Sequence, residues 1–231
     1  KRPAFRKVQL ATLVDDAPDG DNWWHEVKFD GYRALVALGK GGPRVFTRNG
    51  HDWTERFDPL LPGFAPLDRD SALIDGEIVA GAGLAGFSNL QKAIKAGGPF
   101  KFYAFDLLER DGKSLIDRPL RDRRAALEKL FRPAPPLGLV ELSPVIKADP
   151  GDALATICKA GGEGIIAKRA DLAYRGARSR GWLKIKCERR DEFIVLGWQK
   201  SDKRGRAFAS LALGAYEKDQ LVYVGKVGTG F

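Results

Sequence analysis

Methionine is absent from this 231-residue chain, cysteine and histidine occur only twice each, and long apolar runs are missing. Each shortage excludes something. A chain without even an initiator methionine is expected to be an excerpt of a longer one. Cys158 and Cys187 offer neither metal-ligand spacing nor the density of a disulfide-stapled scaffold. Cys158 ends the segment Leu154-Ala155-Thr156-Ile157-Cys158, which has the look of a helix face, so a buried free thiol is expected there. With only His25 and His51 available, a structural zinc site is not expected either. No stretch approaches the roughly 18 apolar residues of a membrane span, and Lys1-Arg2-Pro3 does not open a signal peptide. A cytoplasmic protein with no membrane partner is the default.

Against those absences stand 39 Lys and Arg and 30 Asp and Glu, a formal charge of +9. That balance favours polyanionic partners, nucleic acid first, although a merely solvated basic surface accounts for charge alone equally well. A hydrophobic content of 44% is ordinary and suffices for one large core, or one core with a small second domain.

Trp23 to Leu38 alternates apolar and polar residues in two stretches broken at Asp30-Gly31, which predicts strand, tight turn, strand. Gly39 to Pro43 predicts a hairpin loop, with Arg44 to Arg48 returning as a strand that stops at Asn49-Gly50. Ala72–Ala80 and Lys101–Leu108 predict strands. Phe87–Ala96 and Leu120–Phe131 predict helices, the first stopped by Gly97-Gly98 and the second by a Pro-rich loop from Pro133 to Pro136. After an apolar stretch from Val140 to Ile146, a helix over Asp152–Ala160 should lead into a strand at Gly164–Lys168. A basic loop over Arg169–Arg180 and the strand Trp182–Lys186 follow. The strands are too often joined directly for a doubly wound sheet, so a mixed domain with antiparallel sheets is expected. From Asp191 the texture changes to three successive strands without helices: Glu192–Gly197, Ala207–Tyr216 and Gln220–Val227. These suggest the first part of a five-stranded OB barrel that cannot close within this sequence. The boundary falls near Cys187 to Asp191, giving domains of 1–188 and 189–231.

Glu26 precedes Lys28-Phe29-Asp30-Gly31-Tyr32-Arg33, and this short stretch is the chemically most pointed part of the chain. Lys-x-Asp-Gly-x-Arg recurs by chance in roughly a few per thousand chains of this length, so other parts must decide. They follow in order: Thr47-Arg48-Asn49-Gly50, Leu73-Ile74-Asp75-Gly76-Glu77, Phe102-Tyr103-Ala104-Phe105-Asp106, Glu163-Gly164-Ile165-Ile166-Ala167-Lys168 and Trp182-Leu183-Lys184-Ile185-Lys186. Through these six segments the chain resembles the covalent nucleotidyltransferases, specifically ATP-dependent DNA ligases, and among them the ligase modules of bacterial end-joining enzymes.

The resemblance implies an α+β architecture: an ATP-grasp-like nucleotidyltransferase domain followed by a partial OB-fold barrel. It makes Lys28 the nucleophile that carries AMP, and Lys184 and Lys186, on one face of a strand by their period of two, the cations beside the α-phosphate. Glu26 would contact the adenine and Phe105 would stack on it. Arg33 would face the ribose or the nick phosphate, and Arg48 a phosphate or ribose through its planar fork. Glu77 and Glu163 would hold Mg²⁺ or Mn²⁺, with Lys168 near the phosphates; Phe102 and Tyr103 are expected in the core. Arg175, Arg178 and Arg180 would meet the DNA backbone. Nicked or broken duplex DNA is the implied partner, with further repair domains in the parent chain and a DNA-end-binding protein. A monomer in the bacterial nucleoid is the implied setting. The chain ends before the late segment that orients pyrophosphate in such ligases, which predicts poor self-adenylation by this piece alone. Two other readings compete: an RNA ligase or GTP-dependent capping-type transferase on the same scaffold, and a non-catalytic basic nucleic-acid-binding module.

Overall fold

Two sheets, rather than one, take up the strands on either side of Lys28. The computed structural model describes residues 1–67, 70–81, 87–132, 138–187, 192–202 and 205–228, and divides into two units, Lys1–Cys187 and Glu188–Phe231. The Pro-rich loop expected at 133–136 and most of the boundary expected at 187–191 lie outside the described residues.

In the first unit, β2 (Trp23–Val27) belongs to a sheet ordered β1 (Leu10–Leu13), β11 (Arg178–Lys186), β10 (Gly164–Arg169), β2, β9 (Val145–Ile146). β3 (Tyr32–Leu38) belongs to another, ordered β4 (Arg44–Thr47), β3, β5 (Ala72–Ala80), β6 (Phe100–Arg110), β7 (Lys113–Ser114), with β8 (Val140–Leu142) also on β6. The predicted tight turn at Asp30-Gly31 is therefore a crossover between sheets. Gly31 is required by proximity: a Cβ there would lie 2.1 Å from the Ile78 carbonyl oxygen of β5. The Val140 to Ile146 stretch makes the same crossing in reverse, β8 pairing with β6 and β9 with β2.

Burial explains the sequence texture of these strands. β3 is covered on both faces. Ala34, Val36 and Leu38 pack with Phe57, Phe64, Phe102 and Leu127, while Leu35 and Ala37 pack with Phe105, Tyr174 and Trp182 between the sheets. A strand buried on both sides reads as a continuous apolar run, as Ala34 to Leu38 does. On β10 and β11, Ile165, Ala167, Leu183 and Ile185 form a third cluster with Leu154 and Ile157 of α3 (Pro150–Lys159). Their alternate residues are left to face the other way.

α3 starts where Asp149 accepts hydrogen bonds from the Gly151 and Asp152 amides at 2.9 and 3.0 Å, with Pro150 at the first helical position. α1 (Phe87–Ala96) and α2 (Leu120–Leu130) fall where periodicity places them. Three features escape that reading. β1 pairs in parallel with β11, a 3₁₀ segment covers Thr54–Leu67, and β7 is a two-residue strand. The basic loop is also shorter than expected, because β11 begins at Arg178.

Cys158 and Cys187 form a disulfide, which corrects the expectation of a free thiol. The pairing joins the end of α3 to the residue after β11. Antiparallel β10–β11 pairing brings those two points together, and no local pattern 29 residues apart could show it.

The second unit contains an antiparallel sheet of β12 (Ile194–Lys200), β13 (Phe208–Glu217) and β14 (Gln220–Gly228). Trp198, Tyr216 and Tyr223 are exposed on it.

Candidate active site

The pairing register of the first sheet lays out the site row by row. Glu26 on β2 stands opposite Ile166 on β10, which stands opposite Lys184 on β11. One row along, the Lys28 amide donates to the Gly164 carbonyl at 2.9 Å, and Gly164 pairs with Lys186. In the other direction Trp24, Lys168 and Trp182 form a third row. Since cross-strand partners share a face, Glu26, Lys28, Ile166, Lys168, Lys184 and Lys186 all look into one cleft. The facing sheet contributes a row of its own, Arg33 beside Glu77 beside Tyr103.

Lys28 is ion-paired with Glu163, whose second oxygen lies 3.7 Å from the Lys186 ammonium. Glu163 is held there by Gly164, whose φ of +136° and approach to Ile185 exclude a side chain: a Cβ would sit 2.0 Å from the Ile185 oxygen. Partial burial and then the cations Lys186, Arg178 and Lys28 lower the Lys184 ammonium below the ordinary lysine value. Burial pushes the Glu77 carboxyl up to about 7. Arg33 and Lys28 pull it down, while Asp75 and Glu163 push it further up. An added cation beside Glu77 would favour its ionised form. Two hard oxygen donors suit a divalent ion that keeps other oxygen ligands, and among the described residues no group of three or more His, Cys, Asp or Glu forms a fuller cage.

At the other end of the cleft Glu26 is buried. It accepts from the Ser143 hydroxyl at 2.6 Å and from the Lys168 ammonium at 2.8 Å. Lys168 is only 2% exposed, 4.1 Å from the Phe105 ring centre and 4.5 Å from that of Trp182. Burial depresses its pKa, and Glu26 and Asp106 oppose that. The resemblance implies a place near the phosphates for Lys168; in the structure it pairs with Glu26, one row beyond Ile166 and two from Lys28. Phe105 lines the cleft but is 93% covered, with Lys168 and Arg33 both near its ring and its edge meeting Trp182. Arg33 is clamped by Asp75 through Nε (2.6 Å) and Nη2 (2.7 Å). Burial opposes the guanidinium's charge, but Asp75 outweighs it and raises the pKa.

A cavity of about 210 Å³ runs between these groups, lined by Glu26, Lys28, Arg33, Arg48, Glu77, Phe105, Lys168, Arg178 and Lys184 among others. A second, of about 390 Å³, shares Arg33, Arg48 and Glu77 and is otherwise lined by residues such as Tyr32, His51 and Trp53. The three arginines expected at DNA therefore separate. Arg178, itself exposed, lines the first cavity and donates to the Ala11 carbonyl, while Arg175 and Arg180 stand exposed outside it. Phe102 is core as expected. Tyr103 is not: it stacks on Phe29, with centroids 4.1 Å apart and planes 5° apart.

Sequence reasoning missed Ser143, Asp75 as the anchor of Arg33, and the Leu10-Ala11 wall of the cavity. The apolar run Leu10–Leu13 was a usable strand signal. Ser143 and Asp75 act through contacts between residues 117 and 42 positions apart, and carried none.

Residues 7–186 match the model of the family described as ATP dependent DNA ligase domain. The chain is 41% identical over 238 residues to the multifunctional non-homologous end joining protein LigD of Pseudomonas aeruginosa, covering 99% of this chain and 28% of that protein. The Mycobacterium tuberculosis LigD is 36% identical over 212 residues, 90% of this chain and 27% of that one. The chain thus spans under a third of the length of these curated relatives. Among solved structures, a mycobacterial DNA ligase D complexed with ATP and MES superposes with a TM-score of 0.72 at 31% identity, over 98% of this chain and 73% of that chain. Chlorella virus DNA ligase-adenylate shares the fold at 20% identity and a TM-score of 0.61, over 99% of this chain and 86% of the other. The first unit has the nucleotidyltransferase fold of the DNA ligases, and with a family match over most of its length the chain belongs to the ATP-dependent DNA ligase domain family.

Proposed function

We propose that the chain is the ligase module of a DNA repair protein, that it takes AMP from ATP onto Lys28, and that it uses this AMP to seal broken DNA. The observation that carries the proposal is the placement of Lys28. Its amine lies between Glu163 and the Lys184–Lys186 strand face at one end of a cavity whose other end holds the buried Glu26–Lys168 pair. Lys28 Nζ attacks the α-phosphorus; an N–P bond forms and the bond to pyrophosphate breaks. A DNA 5′-phosphate oxygen then takes the AMP, and the 3′-hydroxyl displaces AMP to form the phosphodiester. Lys184 and Lys186 are set to offset the charge that builds on the phosphoryl oxygens. Glu26 and Lys168 present an acceptor and a donor to the purine edge, and Phe105 closes the cleft beneath it. Arg33 and Arg48, shared by the two cavities, are placed to serve the nucleotide and the nick phosphate in turn.

Glu77 and Glu163 would hold Mg²⁺ or Mn²⁺. Bound there with phosphate oxygens, the ion would neutralise charge on the reacting phosphoryl group. We assign domain limits of 1–188 and 189–231, the second as the first three strands of an OB barrel. Arg175 and Arg180 are assigned to the DNA backbone. The partners proposed are nicked or broken duplex DNA, other repair domains and a DNA-end-binding protein, in the cytoplasm. The likeness to proteins named for non-homologous end joining supports that setting.

The nucleotide and the step are tested together. The intact protein is incubated with labelled ATP or GTP, then given nicked duplex DNA or its RNA counterpart. ATP label on the protein followed by DNA sealing is expected; stable GTP label with no ATP label would point to a capping-type transferase instead.

A further inference from the structure

We infer that Tyr174 is a positioning residue for the nucleotide site, acting through Asp75 on Arg33. This rests on the reading of Arg33 as a nucleotide contact. Asp75 is fully buried and holds Arg33 from two points, accepting from both Nε and Nη2. Its Oδ2 also accepts from the Tyr174 hydroxyl at 2.6 Å. That hydroxyl in turn accepts from the Gln9 amide at 2.8 Å. Gln9 closes the loop: its carbonyl receives Arg33 Nη2 at 3.4 Å, and its side-chain oxygen receives the Arg175 amide at 2.8 Å. One phenol thereby ties β5, the N-terminal segment and the loop entering β11 to the same arginine.

The ring is fixed as firmly as the hydroxyl. The Tyr174 main-chain amide donates to the Ile116 carbonyl at 2.8 Å, and the ring packs perpendicular to Trp182, with centroids 5.9 Å apart at 89°. Trp182 and Phe105 are the rings over which the Arg33 guanidinium lies, 5.3 and 4.5 Å from their centres. Burial, and then the Asp75 carboxylate, raise the Tyr174 pKa far above its ordinary value, so the group stays a donor across the working range. With Nε and Nη2 engaged by Asp75 and Gln9, Nη1 is the part of the fork left to address the cavity. Turning Asp75 by losing one of its three donors would turn that nitrogen with it.

Tyr174→Phe keeps the ring packing and removes only the hydroxyl. ATP affinity is measured by titration calorimetry in the intact protein carrying Lys28→Ala, so that binding is read without chemistry. In that background Tyr174→Phe is expected to weaken ATP by roughly tenfold, the scale of one hydrogen bond to a charged group. With Arg33→Lys also present, the same change should weaken ATP by less than about twofold, because the arginine it acts through is gone. Equal losses in both backgrounds, or no loss in either, would overturn the inference. So would a Tyr174→Phe protein unfolded at the assay temperature, which would assign the hydroxyl to the fold. A protein that binds ATP yet never attaches AMP would count against the ligase chemistry and leave this cycle readable.

Discussion

Replacing Lys168 by methionine removes one charge from a pair in which both partners are almost fully covered. Lys168 is 2% exposed and Glu26 3%, and Lys168 to Glu26 spans 2.8 Å. After Lys168→Met the Glu26 carboxylate keeps only the Ser143 hydroxyl. An uncompensated buried charge of this kind costs about 3–5 kcal/mol. With roughly 2.1 cal/mol/K of unfolding entropy per residue, the unit Lys1–Cys187 should lose about 8–13 °C in melting temperature. Glu26→Gln with Lys168→Met removes both charges and should recover most of that loss, because the desolvation penalty disappears with the pair. ATP binding should behave differently. Both proteins should bind ATP about tenfold or more weakly, since the Lys168 donor is lost in both and the charged Glu26 acceptor becomes a neutral amide in the double variant. Calorimetric melting and ATP titration of the three proteins at one pH separate the two effects. If the double variant melts no higher than Lys168→Met, the two charges are not coupled and the reasoning fails.

Three further outcomes follow from other parts of the structure. Reducing the Cys158–Cys187 bond, or Cys158→Ser with Cys187→Ser, should lower stability by about 3–4 kcal/mol for a loop of this length, near 9 °C in melting; identical melts with and without a reductant would show the thiols unpaired. Burial holds the His25 pKa below 6.5, so its contribution to stability is present above pH 6.5 and is lost as pH falls through the lower folded value. His25→Asn should therefore flatten the denaturant-midpoint profile below pH 6.5, and an unchanged slope would refute this. Arg180 is exposed while Arg178 lines the cavity. Arg180→Ala should reduce the salt slope of DNA binding by about 1 and leave ATP affinity alone, whereas Arg178→Ala should weaken ATP; a reversed pattern in anisotropy and calorimetry would refute this.

Much of this site could be read in one dimension because strand geometry is local. The period of two that sets Lys184 beside Lys186, and Glu26 beside Lys28, survives unchanged in the sheet. Helices α1 and α2 lie where apolar spacing predicts them. What could not be read depends on which strands become neighbours. Asp30-Gly31 looks like a tight turn, because the sequence does not show that the strands around it join different sheets. The resemblance sets Lys168 near the phosphates, and only cross-strand register shows that it pairs with Glu26. The Cys158–Cys187 bond and the Tyr174–Asp75–Arg33 chain exist only because β1, β5, β10 and β11 converge.

Mass spectrometry of the intact protein, before and after exposure to ATP with Mg²⁺, tests the central claim most directly. The account predicts a mass gain of one AMP, mapped by peptide analysis to Lys28 and absent from Lys28→Ala. An adduct that persists in Lys28→Ala, or that maps to any other lysine, would contradict it.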